Sequence, residues 1–347
     1  ANSFELSMYF FLTGAAGVLA IRNVRQPKQF AIAGGYIFVF GLGTSVAFGL
    51  AQQRYDIAAF REYVFAAAFN GFISSTLAFG AFALISGYFG VTTLLQLFEL
   101  GQPNQPLLRR LMSKAPGTYN HSLIVSTMVE SAAEEIGANS LVARVSALYH
   151  DVGKTANPHC FVENQMAMGN IHDDLRPDES ARIIRGHVAQ GLRLARQYKL
   201  PRPVIDAIGQ HHGTMKLLYF WRKAEQEMAD GVLDVSPYTY PGPKPQSKET
   251  ALLMLADGSE SAVRAASNRS AESIREIVRQ IVDERVQLGQ LDECPLTLRD
   301  LEQVQNVFCT VLNGLYHPRI EYPEAPDTAV EVRVTAPLEG GAHGSRA

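Results

Sequence analysis

Five of the nine histidines share a placement with two aspartates. His121 lies three residues before Ile124, in a run where Ile124, Met128, Ala132 and Ile136 recur every four residues. His150 and Asp151 close the apolar run 145–149, within the stretch "ALYHDVGK". His187 follows Ile183 and Ile184 by four and three residues, and His211 and His212 follow Val204 and Ile208. Asp257 stands four residues after Leu253. All seven fall on or beside core-facing stripes of separate helices, where side chains from different helices converge.

A lone histidine on an apolar face is more often a satisfied core residue. Here that explanation must hold for seven titratable groups at once, and each buried polar group left without a partner costs about 1–3 kcal/mol. Bound cations remove the conflict, because they neutralise the aspartates and accept the imidazole lone pairs. Seven nitrogen and oxygen donors exceed the four that close a zinc site. Two divalent ions sharing a carboxylate use them better, and Asp151 is the expected bridge. Such donors suit iron or manganese, with zinc, cobalt and nickel still open.

Several neighbours carry two readings each. Lys154, one helical turn past His150, contacts a phosphate oxygen or is a solvated lysine at a helix end. Glu163, Asn164 and Gln165 line a substrate cleft or cap the next helix. Tyr240, opening "YPGPKPQ", forms a cleft rim or belongs to a plain proline-rich loop. His159 and His172 read as exposed loop residues.

The elements that must position these groups are helical. From residue 118 to about 313 the pattern has helical periods, strand-like alternation is scarce, and glycine and proline punctuate the links. The fold class expected is all-α, with transmembrane helices followed by a helical domain. Residues 1–90 carry few charges and three apolar segments, at about 6–21, 30–50 and 63–85. A crossing takes roughly 20 apolar residues, so the second and third qualify and the first is marginal. Gly41, Gly43 and Gly49 in the second segment suit close helix packing. Arg22, Arg25 and Lys28 mark the first link as cytoplasmic, which places everything after residue 86 in the cytoplasm. Residues 91–116 read as a connector, 117–323 as the helical domain and 324–347 as a disordered tail. Net charge is −3, so no global basic field argues for a DNA or RNA polymer. Cys160, Cys294 and Cys309 form no CxxC pair and read as reduced thiols. The start at Ala1, running straight into an apolar stretch with no basic region, argues against a signal peptide and for a piece of something longer.

A His–Asp doublet with an upstream His and a downstream Asp resembles the signature of HD-superfamily metal-dependent phosphohydrolases. The likeness extends further. "APGTYNHSL", "YHDVGK", "ENQ", "HVAQG", "HHGT", "YPGPKPQSKE", "LADGSE", "PLTLRDL" and "HPRIEYP" occur in this order. Together they resemble the membrane-anchored, seven-transmembrane-receptor type of HD phosphodiesterase, which degrades cyclic di-AMP. The resemblance spans about residues 60–323.

It implies a first metal held by His121, His150, Asp151 and Asp257, and a second held by His187, His211 and His212 with Asp151 shared. It also implies hydrolysis of cyclic di-AMP to linear pApA by a metal-activated hydroxide, with His150, Asp151 and Lys154 in the catalytic apparatus. Lys154, Asn164 and Tyr240 are the expected substrate contacts. The expected location is the cell inner (cytoplasmic) membrane, multi-pass, in contact with membrane lipid and with the HD domain in the cytoplasm. Family members carry an extracellular domain and more membrane helices upstream, which fits a truncated chain. Homo-oligomerisation is left open. Cyclic di-GMP hydrolysis, guanosine tetraphosphate hydrolysis and a nucleotide-binding membrane sensor are the competing readings. The first is weakened because no GYP element follows the His pair.

Overall fold

The computed structural model describes residues 3–22, 28–54, 56–88, 92–165, 169–228 and 233–316. The expected tail, the "HPRIEYP" segment and Arg25 lie outside them. Among the described residues there is no strand, only an isolated bridge between Lys216 and Thr239.

Three helices open the chain: α1 (Ser3–Ala20), α2 (Lys28–Ala51) and α3 (Ile57–Tyr88). Each is long and apolar enough to cross a membrane, α1 with 18 residues included. α3 begins six residues before the expected apolar segment, because Arg61 and Glu62 are exposed in its first turns, where charged heads reach the water. α2 packs on both neighbours. Gly41 lies against Tyr9 and Gly49 against Tyr63, whereas a Cβ on Gly43 would meet nothing within 4 Å. The tightest approach is elsewhere: a Cβ on Gly71 would stand 2.5 Å from the Gly34 carbonyl oxygen. Backbones that near require glycine on both helices.

Two short helices follow, α4 (Leu94–Leu100) and α5 (Pro106–Lys114). The Thr93 hydroxyl accepts from Gln96 N–H to start α4, and Pro106 opens α5 at a position that needs no N–H. Leu97, Leu107, Leu108 and Leu111 are buried, so both helices belong to a packed core.

The remaining helices form a bundle: α6 (Pro116–Glu135), α7 (Ser140–Tyr149), α8 (Pro177–Gln197), α9 (Arg202–Gln210), α10 (Leu218–Glu227), α11 (Lys248–Ala265), α12 (Ala271–Gln287) and α13 (Leu298–Leu315). Asn139 caps α7, and capping boxes at Ser247 and Thr297 start α11 and α13. One core joins α6, α11, α12 and α13 through residues such as Met128, Leu253, Val278 and Phe308. A second joins the connector leucines to Leu148 and Tyr149 of α7, Leu194 of α8 and Ile208 of α9. The seven candidate ligands come from α6, α8, α11 and the C-terminal ends of α7 and α9, elements that both cores hold in place.

Candidate metal centre

α7 ends at Tyr149, and His150 and Asp151 pass into a 3-10 turn at Val152–Ala156. That turn packs directly on α8. A Cβ on Gly153 would lie 1.8 Å from the His187 carbonyl oxygen and 2.6 Å from Gly191 N. Only a residue without a side chain lets the His–Asp turn meet α8 at His187. His121 projects from α6, His211 and His212 leave the end of α9, and Asp257 projects from α11.

The seven residues come together. His121, His150 and Asp257 form one group that could hold a metal ion, and His187, His211 and His212 form another. A third group, His150, Asp151 and His211, lies across the two. Asp151 divides its carboxylate between them. Its Oδ2 is 3.2 Å from His150 Nε2 and 4.0 Å from His121 Nε2. Its Oδ1 is 3.3 Å from His187 Nε2 and 3.8 Å from His211 Nε2. His121 Nε2 stands 3.0 Å from Asp257 Oδ1, and His212 Nδ1 is 3.8 Å from Asp257 Oδ2.

Backbone carbonyls set the tautomers. Nδ1 of His150, His187 and His211 donates to the carbonyl three residues earlier, of Ala147, Ile184 and Ile208. A carbonyl only accepts, so each Nδ1 carries a proton, and in the neutral ring Nε2 is left to present a lone pair. The bare Nε2 atoms of His187 and His211 face each other at 3.3 Å. Two lone pairs at that distance repel unless a cation lies between them. His150 Nε2 and Asp151 Oδ1 are buried without hydrogen-bond partners. Inward lone pairs, orphaned buried acceptors and two ionisable carboxylates are the donor set that divalent cations require.

Electrostatics prepares most of these groups in the same sense. Burial drives His187 and His212 down and takes His211 to about 3, so these rings are neutral. Burial works against charge on Asp151, but the Lys154 ammonium beside it outweighs that and holds the carboxyl well below its usual range. Asp257 is held down likewise by His121. His121 is the exception. Burial opposes its charge, but hydrogen bonds to Asp257 and Glu260 prevail and lift it to about 9.

Glu260 is a functional neighbour that the sequence reading missed. It is fully buried, its Oε2 lies 2.5 Å from His121 Nδ1, and Tyr316 and Arg264 hold its carboxylate from the other side. A carboxylate behind a ligating imidazole fixes ring orientation and raises basicity. The signal was available: Glu260 stands three residues after Asp257, on the same face of a helix.

The site opens into a cleft of about 340 Å³ whose lining includes Lys154, His187, Tyr240, Asp257 and Arg285. Lys154 Nζ lies 2.7 Å from Asp151 Oδ2 and 2.8 Å from Glu163 Oε1, with the side chain 14% exposed. The structure thus half-buries a lysine that one reading left in solvent. Tyr240 is buried and stacks on His212 with ring centroids 4.3 Å apart. Asn164 faces another way: its Oδ1 accepts from Thr118 N–H, its Nδ2 donates to the Thr118 hydroxyl, and that hydroxyl donates to Glu163. Asn164 therefore caps α6, an earlier helix and not the next one, and Glu163 holds the Thr118 hydroxyl beside it. Gln165 donates to the His159 carbonyl. His159 is exposed as expected, but His172 is not. It is buried and its Nε2 donates to the Cys160 carbonyl, because the loop folds back on itself.

Known proteins match both halves of the chain. The HD-domain family model covers residues 118–262, and the model described as a 7TM receptor with intracellular HD hydrolase covers residues 1–93. The cyclic-di-AMP phosphodiesterase PgpH of Bacillus subtilis is 38% identical over 324 residues, covering 93% of this chain and 45% of that protein. The protein of the same name from Listeria monocytogenes is 36% identical with the same coverage. The chain thus spans about half the length of the curated relatives it matches. The crystal structure of the L. monocytogenes phosphodiesterase PgpH HD domain in complex with cyclic-di-AMP superposes with a TM-score of 0.59 at 42% identity, covering 63% of this chain and all of that one. With the HD signature, the three apolar helices and these matches in agreement, the chain belongs to the HD-domain family, in the branch that joins an intracellular HD hydrolase to a seven-transmembrane receptor.

Proposed function

We propose that the chain is a membrane-anchored phosphodiesterase that hydrolyses cyclic di-AMP to linear pApA, using two divalent cations, iron or manganese. The observation that carries this reading is the division of Asp151 between two complete ligand groups. A mononuclear hydrolase has no use for the second group. His121, His150 and Asp257 would hold one cation, His187, His211 and His212 the other, and Asp151 both. When bound, such a pair supplies a water of lowered pKa and Lewis acids that neutralise charge on the phosphate.

The chain's own residues orient and shield. Carbonyls fix three imidazoles, and Glu260 fixes a fourth. Lys154 spends two of its three N–H donors on Asp151 and Glu163, leaving one for a phosphate oxygen at the cleft. Burial raises the Tyr240 phenol, which keeps it a neutral donor beside His212. Overall, water adds to phosphorus, the P–O3′ bond breaks and the leaving oxygen takes a proton. The three apolar helices set the protein in the inner membrane as a multi-pass anchor in contact with lipid, with the HD bundle on the cytoplasmic side.

The test uses the whole chain in detergent with manganese, offered cyclic di-AMP, cyclic di-GMP and guanosine tetraphosphate separately. Cyclic di-AMP is expected to turn over fastest, with Asp151→Ala reducing the rate by about a hundredfold or more. Absence of cyclic di-AMP turnover, or full activity in Asp151→Ala, would sink the proposal.

A further inference from the structure

We infer that Arg285 is the receptor for the second phosphate of the substrate, the one that is not cleaved. This rests on the proposed function, because it takes the substrate to be a dinucleotide with two phosphodiesters. One phosphate must lie over the ligand cluster. The other carries its own negative charge into the same cleft and needs a cation there.

Three cationic side chains line the cleft: Lys154, Lys216 and Arg285. Lys154 is held between Asp151 and Glu163, at the cluster itself. Lys216 is exposed and lies over the Trp221 ring, 5.7 Å from its centroid. Arg285 differs from both. It comes from the last turn of α12, a helix that supplies none of the candidate ligands. Its side chain is only 14% exposed, yet its Nε is buried without a partner. Among the described residues its one ion pair is with the carboxylate of Glu284, the adjacent residue, which is itself 39% exposed. A guanidinium presents five donors in a planar fork, so most of this fork is unmatched.

Gly258 clears the space between Arg285 and the cluster. It follows Asp257 directly, and a Cβ there would stand 3.2 Å from Arg285 Nη2. The guanidinium therefore approaches the α11 backbone one residue from a candidate ligand, with no side chain intervening. A planar fork that lacks acceptors at the wall of an anion's cleft is suited to phosphate, which offers two oxygens in matching geometry. Arg285 thus selects substrates with two phosphates over those with one.

Detergent-solubilised whole chain loaded with manganese tests this, with Arg285→Gln and Arg285→Lys as variants. Cyclic di-AMP and bis(4-nitrophenyl) phosphate, a diester with one phosphate, are the two substrates. In Arg285→Gln the ratio of kcat/KM for cyclic di-AMP to that for the single diester is expected to fall about tenfold or more, carried by KM. Arg285→Lys, which keeps the charge and loses the fork, should recover part of the ratio. An unchanged ratio overturns the assignment, whether both activities fall together or neither moves. Wild-type turnover of the single diester without turnover of cyclic di-AMP overturns the proposed function, and this assignment with it. Wild-type turnover of both with an unchanged ratio in the variant overturns this assignment alone.

Discussion

At the scale of single residues, the imidazoles of the cluster are not equivalent. Three are tied to carbonyls, and burial drives two of these, His187 and His211, down, whereas His121 is tied to Glu260 and lifted to about 9. A folded-state value above the ordinary 6.5 means the charged form is favoured by folding. That contribution is complete below the unfolded value and is lost as pH rises through about 9. A cation at His121 must displace this proton, so metal affinity is expected to climb with pH towards about 9. Glu260→Gln removes the anion behind the ring. It should weaken metal binding by roughly 10–100-fold at neutral pH and flatten the pH dependence, both measurable by competition with a chelating dye. Retention of wild-type affinity and slope would show that the Glu260 contact does not tune the ligand. The seven cluster residues were legible in the sequence because each sits beside an apolar stripe, and seven coincidences are hard to sustain. Glu260 carried only the weaker signal of its i+3 spacing from Asp257, because one glutamate on an amphipathic helix reads as solvated until the helices are assembled. Asn164 was misplaced for the same reason: spacing along the chain does not reveal that its amide reaches back 46 residues to Thr118.

At the scale of elements, helices were legible from their periods, but how closely they approach one another was not. Gly41, Gly43 and Gly49 all suit close packing by sequence, but a Cβ on Gly43 would meet nothing within 4 Å. The pair that does bring α2 and α3 together, Gly34 and Gly71, gave no separate signal. Gly153, inside the "ALYHDVGK" stretch, is a stronger case. Its function is proximity: it lets the turn carrying Asp151 meet the backbone of α8 at His187, which brings Asp151 Oδ1 within 3.3 Å of His187 Nε2. Gly153→Ala places a methyl inside the His187 carbonyl. The two elements must separate, at a cost of about 1–3 kcal/mol for overpacking. The second ligand group should suffer more than the first, because only α8 is pushed away. Metal analysis after dialysis is expected to find about one ion lost per chain while the helical far-UV signal persists. Loss of neither ion would show that the turn tolerates the displacement.

At the scale of the whole molecule, residues 91–116 read in sequence as a connector, because short helices around a proline-rich turn look like a linker. The structure gives them a packing role as well. Leu97, Leu107, Leu108 and Leu111 fill the same core as Leu148, Val204 and Ile208, and the Tyr149 hydroxyl donates to the Leu100 carbonyl at 2.9 Å. Tyr149 is the residue before His150. α4 is therefore in direct contact with the residue that starts the His–Asp turn. Two shortened chains test the packing claim, one beginning at Thr92 and one at Pro116. The second loses four buried leucines. At about 1.5–3 kcal/mol for each fully buried side chain, the loss is about 6–12 kcal/mol as an upper bound, comparable with the whole stability of a domain. The chain from Thr92 is expected to melt cooperatively, and the chain from Pro116 to be insoluble or to lack a cooperative transition. Equal melting temperatures for the two would mean that α4 and α5 contribute nothing to the bundle. The HD core would then end where the family match begins, at residue 118.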